Sequence, residues 1–140
     1  MQHNGKCLTV NSAAEVPGHS MYGDWAIPGR EYSYISLFDL VHKHGANRVP
    51  LTIEHAEICA KPGDWFGATD FSGERFEAAD PRFPGLLVKS MPNPCNRPYR
   101  MVDGRRRLEK LNRMGIASSL FVVFEYEEVL PFIFNFKIAR

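Results

Sequence analysis

Residues 99–115, with the sequence Y-R-M-V-D-G-R-R-R-L-E-K-L-N-R-M-G, constrain the fold of this chain more than any other segment. The segment opens with a short apolar run that predicts a β-strand, and the pair Asp103-Gly104 predicts a tight turn after it. Apolar side chains then recur three positions apart, which is the spacing of one helical face: Leu108, Leu111 and Met114. Gly115 follows where a glycine commonly ends a helix. We therefore expect a strand, a turn and a helix in that order.

Three consecutive arginines, Arg105, Arg106 and Arg107, occupy the first turn of this predicted helix. A first turn leaves four backbone N–H groups without acceptors and carries partial positive charge, so added cations are unfavourable there unless an anion offsets them. Phosphate is the natural anion, held by the backbone N–H groups of residues 104–106 and by the planar guanidinium groups of Arg106 and Arg107. The alternative is that the three side chains, about 100° apart around the helix, are simply solvated.

The net charge of the chain is only +1, which gives no general attraction to nucleic acid. The basic charge is concentrated in residues 97–113, where seven basic and two acidic residues give a local net charge of +5. Beyond the three motif arginines, this segment holds Arg97, Arg100 and Arg113, which could meet phosphates without reading bases. We expect weak DNA binding or a contact with a partner at these positions.

Residues 100–116 resemble the nucleotide-binding motif of the ParB/sulfiredoxin superfamily. Many ParB-like domains there carry a strand, the pattern D-G-x-x-R-L and a helix, and Asp103, Gly104 and Arg107 match that pattern. Upstream, V-P-L-T-I at residues 49–53 resembles the strand that opens such domains, and residues 86–89 resemble the strand before the motif strand. In all, the resemblance covers residues 48–126.

The resemblance implies an α+β fold with a small mixed β-sheet and few helices. We expect one such domain over residues 31–140, preceded by an irregular arm over residues 1–30, in which the glycines and prolines leave room only for a short strand at residues 7–10.

The resemblance also implies a nucleotide, ATP or CTP with Mg²⁺, and an activity among those of the smaller ParB-like proteins, which include nucleases, ATPases and free-serine kinases. Arg105 stands where sulfiredoxin has its catalytic cysteine and where the segregation ParB proteins have the acidic residue that supports hydrolysis, so it argues against both chemistries. Asp103 is expected to cap the helix or to help hold Mg²⁺, and Glu54 is a remote candidate for a catalytic base. The alternative is a non-catalytic binding module of the same fold, a phage-type or accessory regulator that docks on a protein or nucleic-acid partner.

The three cysteines, Cys7, Cys59 and Cys95, form no C-x-x-C pair and no recognisable disulfide pattern, which predicts a reduced, cytoplasmic protein. The chain shows no N-terminal signal pattern and no apolar run of about 18 residues, so we expect no membrane partner. His55, Glu57 and Cys59 are ligand types for zinc, but in a strand they would spread over about 13 Å and could not meet at one ion. We therefore expect no metal site there.

The remaining apolar patterns predict further elements. A helix should follow Ser36, where Asp39 has capping-box spacing, and should stop at Gly45. Residues 61–84 are assigned as a loop that contains a short helix near 73–79. Residues 120–126 predict an interior strand, and residues 132–138 predict a final strand. If the final strand lies at a sheet edge, its phenylalanine face needs cover from the N-terminal arm or from a partner chain, as in a homodimer.

Overall fold

A computed structural model describes residues 7–11, 20–22, 31–45, 47–60, 73–80 and 82–139. The strands in these ranges are β1 (Cys7–Val10), β2 (Ser20–Tyr22), β3 (Glu31–Ile35), β4 (Leu51–Glu54), β5 (Ile58–Cys59), β6 (Gly85–Lys89), β7 (Tyr99–Asp103), β8 (Ser118–Glu125) and β9 (Ile133–Ile138). The α-helices are α1 (Leu37–His44), α2 (Gly73–Ala78), α3 (Arg105–Arg113) and α4 (Tyr126–Val129), and 3₁₀ turns lie at His55–Glu57 and Leu130–Phe132. None of these helices has the length and apolar content needed to cross a membrane.

The chain divides into two compact units. The first comprises Met1–Ala46, Pro62–Gly67 and Glu127–Arg140, and the second comprises Asn47–Lys61 and Ala68–Tyr126. Much of the predicted arm and most of the predicted loop lie outside the described residues, so a domain boundary at residue 30 stays a prediction. Within the arm, β1 forms at the residues where a short strand was expected, and β2 forms at Ser20–Tyr22, where none was expected.

The first unit contains a four-stranded sheet in the order β1-β9-β3-β2. The final strand β9 is an interior strand, because β1 pairs with it in parallel on one side and β3 pairs with it antiparallel on the other. Two of its side chains, Ile133 and Phe136, are fully buried. The expected need for cover applied to an edge strand, and β9 is not an edge, because β1 from the predicted arm pairs with it on one side.

Helix α1 confirms the helix expected between Ser36 and Gly45. It buries Leu37 and Leu40 on one face, as the spacing predicts. The hydroxyl of Ser36 donates to the carboxylate of Asp39 at 2.8 Å, so within this helix the two side chains bond to each other and the expected capping box does not form. The Ser36 N–H instead donates to the carbonyl of Phe132 at 3.0 Å.

The second unit contains a mixed five-stranded sheet in the order β4-β8-β6-β7-β5. The pairs β4/β8 and β6/β7 are antiparallel, whereas β6/β8 and β5/β7 are parallel. Strand β8 has neighbours on both sides, as its run of apolar and β-branched residues predicts. The expected α+β fold with a small mixed sheet and few helices is confirmed.

Helix α3 packs on this sheet through Leu108, which is 6% exposed. Its neighbours are buried side chains from five different elements, which together form the core of the second unit: Ile53, Ile58, Leu87, Met101, Phe121 and Val123. Of the predicted apolar face, Leu108 is buried and Leu111 is half-buried, whereas Met114 follows the helix and is 63% exposed. The predicted strand–turn–helix segment is therefore confirmed in order and in type.

Cys59 and Cys95 form a disulfide with Cα atoms 5.6 Å apart, which corrects the prediction of a fully reduced set of cysteines. Cys59 lies in β5 at the sheet edge, and Cys95 lies in the connection between β6 and β7. The sequence carries no sign of this pairing because 36 positions separate the two residues. The parallel pairing of β5 with β7 is what brings them together.

Candidate functional site

The candidate site lies where β7 ends and α3 begins. Strand β7 pairs with β6 through an irregular register, in which Leu86 stands opposite Asp103 but Leu87 stands opposite Met101. One step along β6 therefore matches two steps along β7, and Val102 is the extra residue of a β-bulge. A bulge bends its strand and redirects the residues that follow, and such bulges are common beside functional sites. Here it sets the direction in which the chain leaves the sheet.

Gly104 makes the turn into the helix. It is the N-cap of α3 and has a left-handed φ of 105°, which L side chains rarely adopt. A Cβ at this position would lie 2.9 Å from the Cα of Gly85, the first residue of β6. A glycine at the start of β6 and a glycine directly after β7 therefore let the two backbones approach closely. The sequence motif predicted Gly104, but Gly85 was missed, since a glycine at a strand start carries no distinctive local signal.

A cavity of about 180 Å³ opens at the N-terminus of α3. It is lined by Ala79 and by five consecutive residues of the motif: Asp103, Gly104, Arg105, Arg106 and Arg107. The N-cap residue, Gly104, has no side chain that could cap the helix, and the first turn holds no acidic residue. The backbone N–H groups of the first turn have no acceptor inside the helix, so they can bind an anion in this cavity.

Arg107 and Asp103 form an ion pair on the wall of the cavity. Nη2 of Arg107 lies 3.0 Å from Oδ2 of Asp103, and the Arg107 side chain is 26% exposed. Among the residues that the structure describes, Nε of Arg107 is a buried nitrogen with no hydrogen-bond partner. Because this nitrogen is shielded from solvent, a phosphate oxygen would reach it only after a movement of the Arg107 side chain. The Asp103 carboxylate bonds to Arg107, so the expected capping role of Asp103 is not seen.

Arg105 also lines the cavity, but its guanidinium group ties the motif to the sheet. Its Nε donates to the carbonyl of Ala60 at 2.7 Å, and its Nη2 donates to the carbonyl of Met101 at 3.1 Å. Burial, followed by the nearby charge of Arg100, lowers the pKa of Arg105 to about 10, so the group is still charged at neutral pH. Because the guanidinium group of Arg105 already has two acceptors, a phosphate contact at this residue would be made by its backbone N–H.

Replacing Arg105 by methionine should destabilise the second unit by about 2 kcal/mol, because it removes two charge-assisted bonds and keeps the apolar stem. Urea denaturation would measure the loss. Arg113→Met is the matched control, since Arg113 makes an exposed pair with Glu109 at 2.9 Å and its loss should cost less than about 0.5 kcal/mol. Equal midpoints for the two variants would contradict the anchoring role.

The three arginines expected to meet DNA or a partner differ in what they contact. Arg97 donates to the carbonyl of Ile58 at 2.8 Å, and Arg100, only 7% exposed, donates to the carbonyl of Pro92 at 2.7 Å. Arg113 lies on the exposed surface of α3 beside Glu109. Arg97 and Arg100 therefore bond to backbone carbonyls. Of the three arginines, Arg97 and Arg113 are exposed and suited to a surface contact.

Glu54, the remote candidate for a catalytic base, is not brought to the cavity. It ends β4 at one edge of the sheet, whereas Asp103 ends β7, three strands away in the hydrogen-bonding order. Three strand spacings amount to roughly 14 Å. The two proposed catalytic carboxylates, Asp103 and Glu54, therefore cannot act on one reacting group from these positions.

Lys110 supports the far wall of the cavity, a role that its sequence position did not indicate. Its ammonium donates to the carbonyls of Glu77 and Ala79, at 2.8 and 2.7 Å. These carbonyls end α2, where a cation is favourable. The neighbouring Asp80 accepts bonds from the Arg82 side chain and N–H, which lower its pKa to about 2 and keep it ionised. Lys110 thus links α3 to the segment that carries Ala79.

Within the described ranges, no group of three or more histidine, cysteine or acidic residues has an arrangement that could hold a metal ion. Of the zinc-type residues, Cys59 is in the disulfide, and His55 and Glu57 lie in a 3₁₀ turn. Comparison of the chain with protein-family models, with curated proteins and with solved structures gives no match in any of the three.

Proposed function

We propose that this chain is a ParB-like nucleotide-binding protein that holds nucleotide phosphates at the N-terminus of α3. The observation that carries the proposal is the cavity lined by residues 103–107 at the N-terminus of α3, a helix whose first turn holds three arginines and no acidic residue. The D-G-x-x-R pattern at Asp103, Gly104 and Arg107 supports the same ligand through its resemblance to the ParB/sulfiredoxin motif.

The size of the cavity favours phosphate groups over a whole nucleotide. At about 180 Å³ it is smaller than typical clefts for complete ligands, which measure roughly 300–1,000 Å³. Backbone N–H groups and the guanidinium of Arg107 would hold one or two phosphates, with Arg106 beside them on the same lining. The sugar and base would extend outside, so the affinity should depend more on the number of phosphates than on the base.

The carboxylate of Asp103 fits one position around a magnesium ion. It is 52% exposed and lies on the lining of the cavity. Magnesium bound with a nucleotide usually takes one or two carboxylates, with phosphate oxygens and water as its other ligands, so a cluster of acidic residues is not required. Such an ion would offset the charge of the phosphates when both are bound.

A second candidate is a module of the same fold that binds without turnover and docks on a protein or DNA partner. The placement of Arg105 and Glu54 favours it. Arg105 stands where the superfamily has the acidic residue that supports hydrolysis or the catalytic cysteine, and here its side chain bonds to the sheet. Glu54 lies roughly 14 Å from the motif, measured across the strands. ATPase, kinase or nuclease activity would need a base from elsewhere in the chain or from the partner.

Thermal unfolding with ATP, ADP, CTP and GTP, each with Mg²⁺, tests the phosphate site. At about 100 times its Kd, a nucleotide should add about 2.7 kcal/mol of stability and raise the melting temperature by roughly 8 °C. The double variant Arg106→Ala/Arg107→Ala should lose this shift, because it removes both guanidinium groups beside the cavity.

The control Lys43→Ala/Lys89→Ala removes the same charge from two exposed positions and should keep the shift. The absence of a shift with all four nucleotides would contradict nucleotide binding and leave the arginine cluster as a surface for a protein or nucleic-acid partner. A shift without hydrolysis of the nucleotide would favour the module that binds without turnover.

A further inference from the structure

A serine, a histidine and an asparagine from three elements of the second unit form a continuous hydrogen-bonded chain. His55 lies in the 3₁₀ turn that follows β4, and its Nδ1 lies 2.8 Å from Oδ1 of Asn112 in α3. Its Nε2 lies 2.7 Å from Oγ of Ser119 in β8. In sequence, His55 is 57 positions from Asn112 and 64 from Ser119, so only the fold assembles the group.

The partners of His55 determine its neutral tautomer. An amide oxygen can only accept a hydrogen bond, so Oδ1 of Asn112 requires a proton on Nδ1 of His55. In the neutral ring, Nε2 then carries the lone pair and accepts from the hydroxyl of Ser119. This is the arrangement of a nucleophilic serine, a general base and an orienting group.

The imidazole is held in place by contacts other than these two bonds. Its ring meets Phe121 edge-on, with centroids 5.9 Å apart and an angle of 76° between the planes. The backbone N–H of His55 donates to the carbonyl of Ala117 at 2.8 Å, which extends the pairing of β4 with β8. A base positioned by packing and by the backbone loses little freedom on reaction, as an acyl-transfer site requires.

The serine lies at the rim of the core, where a substrate can reach it. Ser119 is half-buried and shares its sheet face with Phe121, because side chains two apart on a strand point the same way. Leu51 stands opposite Phe121 on β4, lies on that same face, and is 52% exposed. An apolar group of a substrate could therefore pack on Leu51, at about 7–8 Å from the serine position across the strands.

We infer that Ser119 is a nucleophile, with His55 as its general base and Asn112 as the residue that positions the base, in the hydrolysis of small carboxylic esters with an apolar acyl group. The Ser119 oxygen attacks the carbonyl carbon while its proton passes to Nε2. The tetrahedral intermediate collapses as the C–O bond to the leaving group breaks, and the leaving alcohol takes the proton from Nε2. Water then attacks the acyl–serine ester, gives its proton to Nε2, and releases the carboxylic acid as the proton returns to Ser119.

A fluorophosphonate probe on the full chain, followed by peptide mass spectrometry, tests the nucleophile directly. The Ser119 oxygen should bond to phosphorus with loss of fluoride. Labelling at this residue should fall by at least about 100-fold in His55→Gln, the scale of general-base catalysis. Ser118→Ala is the matched control, because Ser118 is one position away on the other face of β8. Ser119 in this variant should be labelled to the same extent as in the unchanged chain. Labelling of Ser119 that persists in His55→Gln, or no labelling of Ser119 in the unchanged chain, would overturn the inference.

Hydrolysis of p-nitrophenyl acetate gives the second readout. We expect a burst of p-nitrophenol that disappears in Ser119→Ala and remains in Ser118→Ala. Melting curves of each variant show whether it is folded. If Ser119→Ala does not fold, the labelling site in the unchanged chain still tests the inference. A serine that only makes a structural hydrogen bond would not be modified by the probe. A burst that survives in folded Ser119→Ala would overturn the inference.

Discussion

Reduction of the Cys59–Cys95 disulfide should lower the free energy of unfolding of the second unit by about 4 kcal/mol. The bond closes a loop over a sequence separation of 36, and a cross-link of that span removes about this much chain entropy from the unfolded state. It also fastens β5, a strand of only two residues at the sheet edge. Urea denaturation with and without dithiothreitol, followed by circular dichroism, would measure the difference.

Cys95→Ser gives the same result without a reductant. Cys95 is exposed, so the substitution removes the bond and leaves the core as it is, whereas Cys59 is fully buried and its replacement would add a packing defect. Cys7→Ser is the control, because Cys7 lies outside the disulfide, in β1 of the first unit. If Cys95→Ser unfolds at the same urea concentration as the oxidised chain, the cross-link does not stabilise the fold as argued.

Gly104→Ala should cost about 3 kcal/mol or more and should abolish the nucleotide-induced shift. The left-handed φ of 105° is strained for alanine by about 1–2 kcal/mol. The new methyl would also lie 2.9 Å from the Cα of Gly85 and 3.2 Å from Nη2 of Arg107, so the backbone or the arginine must move. Both movements disturb the cavity at the start of α3. Melting curves with and without the nucleotide would measure both effects.

Gly115→Ala separates strain from crowding. Gly115 also has a positive φ, 78°, but a Cβ there would meet no described atom within 4 Å. Its replacement should therefore cost only the backbone strain of about 1–2 kcal/mol and should leave the nucleotide shift intact. Equal costs at the two glycines would show that the close approach of Gly85 and Gly104 does not matter.

The arginine cluster serves two purposes that its sequence does not distinguish. The side chains of Arg97, Arg100 and Arg105 donate to backbone carbonyls. Arg106 and Arg107 line the cavity together with Arg105. Removing the whole cluster would unfold the site and remove its charge together. For this reason the binding test changes only Arg106 and Arg107, and the stability test changes Arg105.

The strand, turn and helix of the motif could be predicted from the sequence because each depends on residues close together in the chain. The apolar spacing indicates the face of α3 that buries Leu108, and the glycines at positions 104 and 115 mark its two ends. The same reasoning found α1, β8 and β9, whose patterns are strong within a single window. The resemblance to the ParB/sulfiredoxin motif is likewise local, and it remains a proposal.

Only the tertiary structure decided which distant residues meet. The Cys59–Cys95 bond, the approach of Gly85 to Gly104 and the chain from Ser119 through His55 to Asn112 each join different elements. The interior position of β9 and the separation of Glu54 from Asp103 follow from strand order. A sequence pattern reports the period of one element, whereas strand order and register depend on packing among many elements, and those interactions leave no local signal in the residues they bring together.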